Sequence, residues 1–136
     1  MHAYTYSGHP TCCAVGIKNV EIMEKERLWE RAAVMGQRLH EGLHAAFDDH
    51  PNLGDIRSGK GLLAAVELVE DKATKKMFDP DKKIGPRLMQ EMTKRGLVTR
   101  ARLENIFFSP PLVISEQQLD RMISITRDAV KAVTGK

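Results

Sequence analysis

Apolar residues recur in two rhythms along this chain. The most continuous run is Leu62-Leu63-Ala64-Ala65-Val66-Glu67-Leu68-Val69, apolar everywhere but at Glu67. A strand with one wet face would alternate, so this run predicts a strand buried in the middle of a small sheet. Gly61 precedes it and the charged turn Glu70-Asp71-Lys72 follows it. Leu53 to Arg57 reads as a short strand ahead of it. Ser58-Gly59-Lys60-Gly61 is the turn between them, which makes the two strands a hairpin. Leu97-Val98-Thr99-Arg100 and Asn105-Ile106-Phe107-Phe108 read as two more strands, the second ended by Pro110-Pro111.

The remaining segments carry helical spacing. Pro10 suits a first helical position, where its missing N–H costs nothing. Cys13, Ala14, Ile17, Val20 and Ile22-Met23 then form one apolar face, up to an end near Glu24-Lys25-Glu26. Leu28, Ala32, Met35, Leu39, Leu43 and Phe47 predict a second helix, stopped by His50-Pro51-Asn52. Residues 70–83 are polar, contain Pro80 and read as a loop. Ile84, Leu88, Met89 and Met92 predict a third helix closed by Gly96. Ser115 caps a last helix with Glu116 in its first turn and an apolar face of Leu119, Met122-Ile123, Thr126, Val130 and Val133. Two helices, a hairpin, a helix, two strands and a helix, without internal repeat, make an α+β (α/β layered) domain with helices packed on a sheet.

Composition narrows the function without choosing it. The 136 residues suit one domain with a real core. The net charge of +3 comes from 21 basic and 18 acidic residues mixed along the chain, which gives no footprint for nucleic acid or a membrane surface. No apolar run is long enough to span a bilayer. The N-terminus lacks a basic region followed by an apolar one, so no secretory signal is expected. Cys12 and Cys13 are neighbours, which bridge each other rarely. A reduced, cytoplasmic protein is the expectation.

Two stretches carry candidate chemistry. In Thr5-Tyr6-Ser7-Gly8-His9-Pro10, two hydroxyls and a glycine precede a helix start. Free N–H groups and the helix dipole there favour an anion such as a phosphate; simple helix capping is the alternative. Arg100 lies on a strand with Arg102 two residues on, hence on the same face. A guanidinium can hold a carboxylate bidentately; a solvated basic pair is the alternative. His40 and His44 have metal-ligand spacing on a helix but no third ligand nearby, so they read as a solvated face. Cys12 and Cys13 read as small buried residues of the first helix. Gly59-Lys60-Gly61 lacks the spacing of a phosphate loop.

Tyr4-Thr5-Tyr6-Ser7-Gly8-His9-Pro10-Thr11-Cys12-Cys13-Ala14 closely resembles a motif of the class III, pyridoxal-phosphate-dependent aminotransferases, in particular the omega-transaminase branch. Arg57-Ser58-Gly59-Lys60-Gly61-Leu62 with Val66-Glu67-Leu68, Gly96-Leu97-Val98-Thr99-Arg100, and Phe108-Ser109-Pro110-Pro111-Leu112-Val113-Ile114 resemble later pieces of the same family, in order and at matching spacing. The resemblance implies the small C-terminal domain of a fold-type I transferase, with an antiparallel-rich sheet. It implies that residues 1–25 are the cofactor-phosphate loop and interface helix at the end of a large domain, and that 26–136 are the small domain. By the same resemblance Thr5, with Ser7 as a lesser candidate, meets the phosphate of pyridoxal 5'-phosphate in the neighbouring subunit of a homodimer. Arg100 then receives a substrate carboxylate and swings away for uncharged substrates. Arg102 has no role to transfer. The family moves an amino group from an amine or omega-amino acid to a keto acid such as pyruvate. It needs a lysine that anchors the cofactor, and none of these lysines matches that position. No catalytic residue and no metal ligand is therefore assigned, and these residues alone are expected to be inactive. The competing expectation is a non-catalytic small domain that dimerises or binds a small acid.

Overall fold

The computed structural model describes residues 4–136; residues 1–3, part of the loop expected over 1–9, lie outside the described residues. Helix α1 (Pro10–Lys25) and helix α2 (Leu28–Phe47) come first. Strands β1 (Leu53–Lys60) and β2 (Leu63–Leu68) form the hairpin. A short 3-10 turn at Pro80–Lys82 leads into α3 (Ile84–Lys94). Strands β3 (Arg100–Arg102) and β4 (Asn105–Phe108) and helix α4 (Glu116–Thr134) complete the chain. The four strands are antiparallel in the order β1-β2-β4-β3, so β2 is interior, as its composition predicts.

The register shows how the sheet is covered. Ile56, Val66, Ile106 and Ala101 stand opposite one another in a row across all four strands. They turn inward to Leu39, Leu43, Phe47, Leu88, Met92, Leu119 and Val130 of the helices. The neighbouring row, Arg57–Ala65–Phe107–Arg100, points the other way, as does Asp55–Glu67–Asn105–Arg102. This corrects the reading of β2 as buried on both faces. Ala64, Val66 and Leu68 are buried, but Leu63 is 66% exposed and Ala65 and Glu67 are only half-buried. The helices cover one face, and the alternation is hidden in the sequence because the open face carries Leu63 and Ala65 instead of polar residues.

Local signals set the ends of elements. α3 finishes in a Schellman motif: Gly96 takes φ 88°, its N–H donates to the Thr93 carbonyl at 3.0 Å, and the Leu97 N–H donates to Met92 at 2.9 Å. α4 starts in a capping box, with Ser115 and Gln118 side chains each bonded to the other's backbone N–H. The hairpin turn is Gly61-Leu62, tighter than the expected four residues, because β1 runs on to Lys60 through a register shift after Arg57. Strand β3 begins at Arg100, not Leu97: Leu97 completes the Schellman turn, and the Thr99 hydroxyl bonds the Phe107 carbonyl in place of a ladder.

Two placements depart from expectation. Asn52, expected only to stop a helix, is 3% exposed, and its Nδ2 donates to the Val69 and Glu70 carbonyls at 3.0 and 2.9 Å. It thereby ties the end of β2 to the loop before β1. α1 forms as expected but none of its residues is buried. Cys12 and Cys13 are free and exposed, not buried, because the helix leaves the domain without packing its apolar face on it. Among the described residues no helix is long and apolar enough to cross a membrane.

Candidate functional site

Arg100 opens β3, the edge strand, and stands opposite Phe107 of β4. With buried Ala101 between them, Arg100 and Arg102 point to the same open face. Beyond this edge lies a groove of about 1050 Å³. Its apolar lining includes Val98, Phe107, Val113 and Ile125, and its polar lining includes Arg100, Arg102, Gln118 and Arg121. Arg121, on α4, reaches the α3 end of this groove, since a Cβ at Gly96 would lie 3.8 Å from its Nη2.

The arginines sort by pairing. Arg57, on the same sheet face, donates to Asp55 at 2.9 Å and to Glu67 at 3.0 Å. Arg38 bonds Asp120 at 2.7 Å and reaches Glu116 at 3.0 Å, which clasps α2 to α4 and raises the guanidinium pKa further, chiefly through the Asp120 hydrogen bond. Arg27, Arg95 and Arg127 have carboxylate partners, and Arg31 and Arg87 donate to carbonyls. Arg100, Arg102 and Arg121 have neither kind of partner among the described residues, and all three line the groove. Sequence reasoning missed Arg121 and Gln118, which look like ordinary outward polar positions on an amphipathic helix.

The Thr5 stretch folds as a tight turn before α1. The Ser7 N–H donates to the Tyr4 carbonyl at 2.9 Å, the Tyr4 N–H donates to Ser7 Oγ at 3.2 Å, and the His9 N–H donates to the Tyr6 carbonyl at 3.1 Å. Gly8 takes φ 76° with open space beside it. Ser7 is thus engaged in its own turn. Thr5 is exposed, with no hydrogen-bond partner among the described residues. His9 supplies no side-chain cap, so the Thr11 and Cys12 N–H groups at the start of α1 have no partner among the described residues. A free hydroxyl, free amides and an open glycine form a donor set that fits a phosphate. Thr5 and Arg100 do not share a cavity: the residues lining the groove all lie between Gly96 and Ile125.

His40 and His44 each meet a polar neighbour and one another. His40 Nδ1 lies 2.8 Å from Ser58 Oγ, His44 Nδ1 lies 2.8 Å from Asp48, and the rings meet edge-on with centroids 4.4 Å apart. Among the described residues no group of three potential ligands could hold a metal.

Comparison with known proteins fits this architecture. The family description aminotransferase class III matches residues 1–130. The chain is 40% identical over 135 residues to the diaminobutyrate–2-oxoglutarate transaminase of Halomonas elongata, covering 98% of this chain and 29% of that protein. It is 36% identical to the putrescine–pyruvate aminotransferase of Pseudomonas aeruginosa, covering 93% of this chain and 27% of that protein. Its structure superposes on an (S)-enantioselective omega-transaminase from Thermomicrobium roseum with a TM-score of 0.91 at 42% identity, covering 98% of this chain and 29% of that one. The fold is therefore that of the C-terminal domain of transaminases, and the chain spans under a third of the length of these relatives. It belongs to the class III aminotransferases.

Proposed function

We propose that these residues serve as the C-terminal part of a pyridoxal-phosphate-dependent transaminase that moves an amino group from an amine or omega-amino acid to a keto acid such as pyruvate. The observation that carries this is Arg100, a guanidinium with no acidic partner among the described residues, lining a groove with an apolar wall in a chain of this family. Its planar fork matches a carboxylate and fixes that group's direction as well as its charge. Pyridoxal phosphate, when bound, supplies the electron sink that lets the amino group leave one carbon for another. Thr5 and the free amides of α1 would hold its phosphate, with Ser7 a lesser contributor. Thr5 is exposed and does not line the groove that holds Arg100, which suits contact with the phosphate of a partner subunit in a homodimer. Residues 1–25 then belong with a large domain and its dimer interface, and 26–136 form the small domain. The uncovered apolar side chains of α1 support that division. Two exposed free thiols suit the reducing cytoplasm.

None of the lysines here stands at the family's cofactor-anchoring position, so these residues alone should not turn over. Mixing the purified chain with cofactor, an amine and pyruvate should give no alanine. Alanine formation would overturn that inactivity. In a full-length protein carrying these residues, Arg100→Gln should raise KM for acidic substrates and leave uncharged amines little changed. Equal effects on both would remove the carboxylate role. A second reading, a non-catalytic module that dimerises or binds a small acid, draws on a core that closes within the chain's own residues. Transaminase turnover of the full-length protein would exclude it.

A further inference from the structure

We infer that His40 and His44 form a two-imidazole site on α2 for a divalent transition cation of the zinc, nickel and copper kind. The inference stands apart from the transaminase reading and does not depend on it.

Residues four apart on a helix share one face, with their Cβ atoms about 5–6 Å apart. His40 and His44 stand so within α2, beside Leu39 and Leu43, whose full burial fixes the helix in place. Each ring is held through Nδ1. Asp48 Oδ1 lies 2.8 Å from His44 Nδ1. An ionised carboxylate only accepts, so that nitrogen carries the proton and the neutral ring keeps its lone pair on Nε2. Ser58 Oγ lies 2.8 Å from His40 Nδ1 and can accept from it in the same way. Neither Nε2 has a hydrogen-bond partner among the described residues, and neither is sealed from solvent. His50 is built in the opposite sense. Its Nδ1 accepts from the Asn52 N–H at 3.1 Å and its Nε2 is buried, so it has no lone pair to offer an ion.

A metal-bound imidazole gives its other ring nitrogen to a carboxylate or similar oxygen, which orients the ring and raises its basicity. Asp48 and Ser58 already stand in those two places. The ring spacing agrees. Two imidazoles on one ion, each bound through Nε2 at about 2.0–2.1 Å, put their centroids about 4.5 Å apart at a right-angled bite and about 5.2 Å apart at a tetrahedral one. The centroids here are 4.4 Å apart, with the rings inclined at 64°. Imidazole suits zinc, nickel and copper, whereas magnesium and calcium take oxygen ligands. With two protein ligands, water completes the coordination and the ion exchanges readily.

The experiment titrates zinc chloride into the isotope-labelled 136-residue chain carrying Cys12→Ser and Cys13→Ser, which removes two exposed thiols that would compete for the ion. Imidazole nitrogen NMR shifts report each ring separately. The Nε2 signals of His40 and His44 should move together and saturate at the same zinc concentration, while those of His50 stay in place. Magnesium should move neither. Asp48→Asn keeps both ligands but removes the orienting charge, and should weaken zinc about tenfold. His40→Gln and His44→Gln should each weaken it further and release the remaining ring. Zinc should raise the Tm of the chain with both histidines and leave that of either His→Gln variant unraised. Melts without zinc establish that these variants fold. Rings that respond at different zinc concentrations, or a His40 response untouched by His44→Gln, would overturn the inference.

Discussion

Arg57 Nη2 donates to Glu67 across β1 and β2 at 3.0 Å, while its Nε donates to Asp55 of its own strand at 2.9 Å. The motif that links an arginine before the hairpin turn to a glutamate after it is thus a cross-strand ion pair on the open face. Arg57 is 61% exposed, so the pair contributes little to stability. Glu67→Ala should lower unfolding free energy by no more than about 1 kcal/mol. Urea denaturation that showed a loss of several kcal/mol would mean the pair is far less hydrated than its exposure indicates.

Gly36 of α2 lies against the hairpin turn so closely that a Cβ would sit 2.2 Å from the Gly61 carbonyl oxygen. The obstacle is backbone, which cannot rotate away. Gly36→Ala should therefore destabilise by about 1–3 kcal/mol, despite alanine's better helix propensity. A thermal melt reads the sign directly: a rise in Tm would show that α2 can lift off the turn without loss.

Asn52→Ala should cost about 1–3 kcal/mol by leaving buried carbonyls without their donor. Those carbonyls are Val69 and Glu70. Amide hydrogen exchange offers a local test, because the Val69 N–H, bonded to the Asn52 carbonyl at 2.8 Å, should lose protection ahead of the helices. Uniform loss across the domain would mean the clamp holds nothing in particular.

Acid should destabilise the domain through two glutamates. Glu70 is held down to about 2 from 4.5, first by hydrogen bonding from Lys76 and then from Lys82. Glu91 is likewise held at about 2, by Lys94 and then Arg95. A carboxyl whose folded pKa is depressed stabilises above its unfolded value, and that contribution disappears as pH falls through the folded one. Stability should thus decline from about pH 4.5 towards 2, modestly, since both carboxylates are only half-buried and their lysine partners are exposed. Carboxyl NMR titration should place both midpoints near 2. Glu70→Gln should flatten the acid limb of a pH–stability curve, and an unchanged limb would remove Glu70 from the account.

What the sequence made legible was local chemistry. Gly96 announced a helix end, Ser115 a helix start, and the three-four spacing from Leu28 to Phe47 a core-facing helix, and each stands where its residues placed it. The central position of β2 also followed from its composition. Its open face did not, because Leu63 and Ala65 are apolar residues left outward. Burial of Cys12 and Cys13 was misread for the same reason: an apolar helix face shows that something can cover it, and nothing else among the described residues does. Arg100 could be singled out by residue type and resemblance. The convergence of Arg121 on the same groove depends on how α4 lies beside the β3 edge, which helical spacing does not encode.

The Schellman closure at the end of α3 leaves only Leu97, Val98 and Thr99 between Gly96 and Arg100. Leu97 is tied back to Met92, and Thr99 to the carbonyl of Phe107. So short a tether, fastened at both ends, leaves the main chain at Arg100 little slack. On the proposed role of Arg100, travel of its guanidinium between substrates would come from rotation about its own side-chain bonds, at side-chain speed, without waiting for a loop to rearrange.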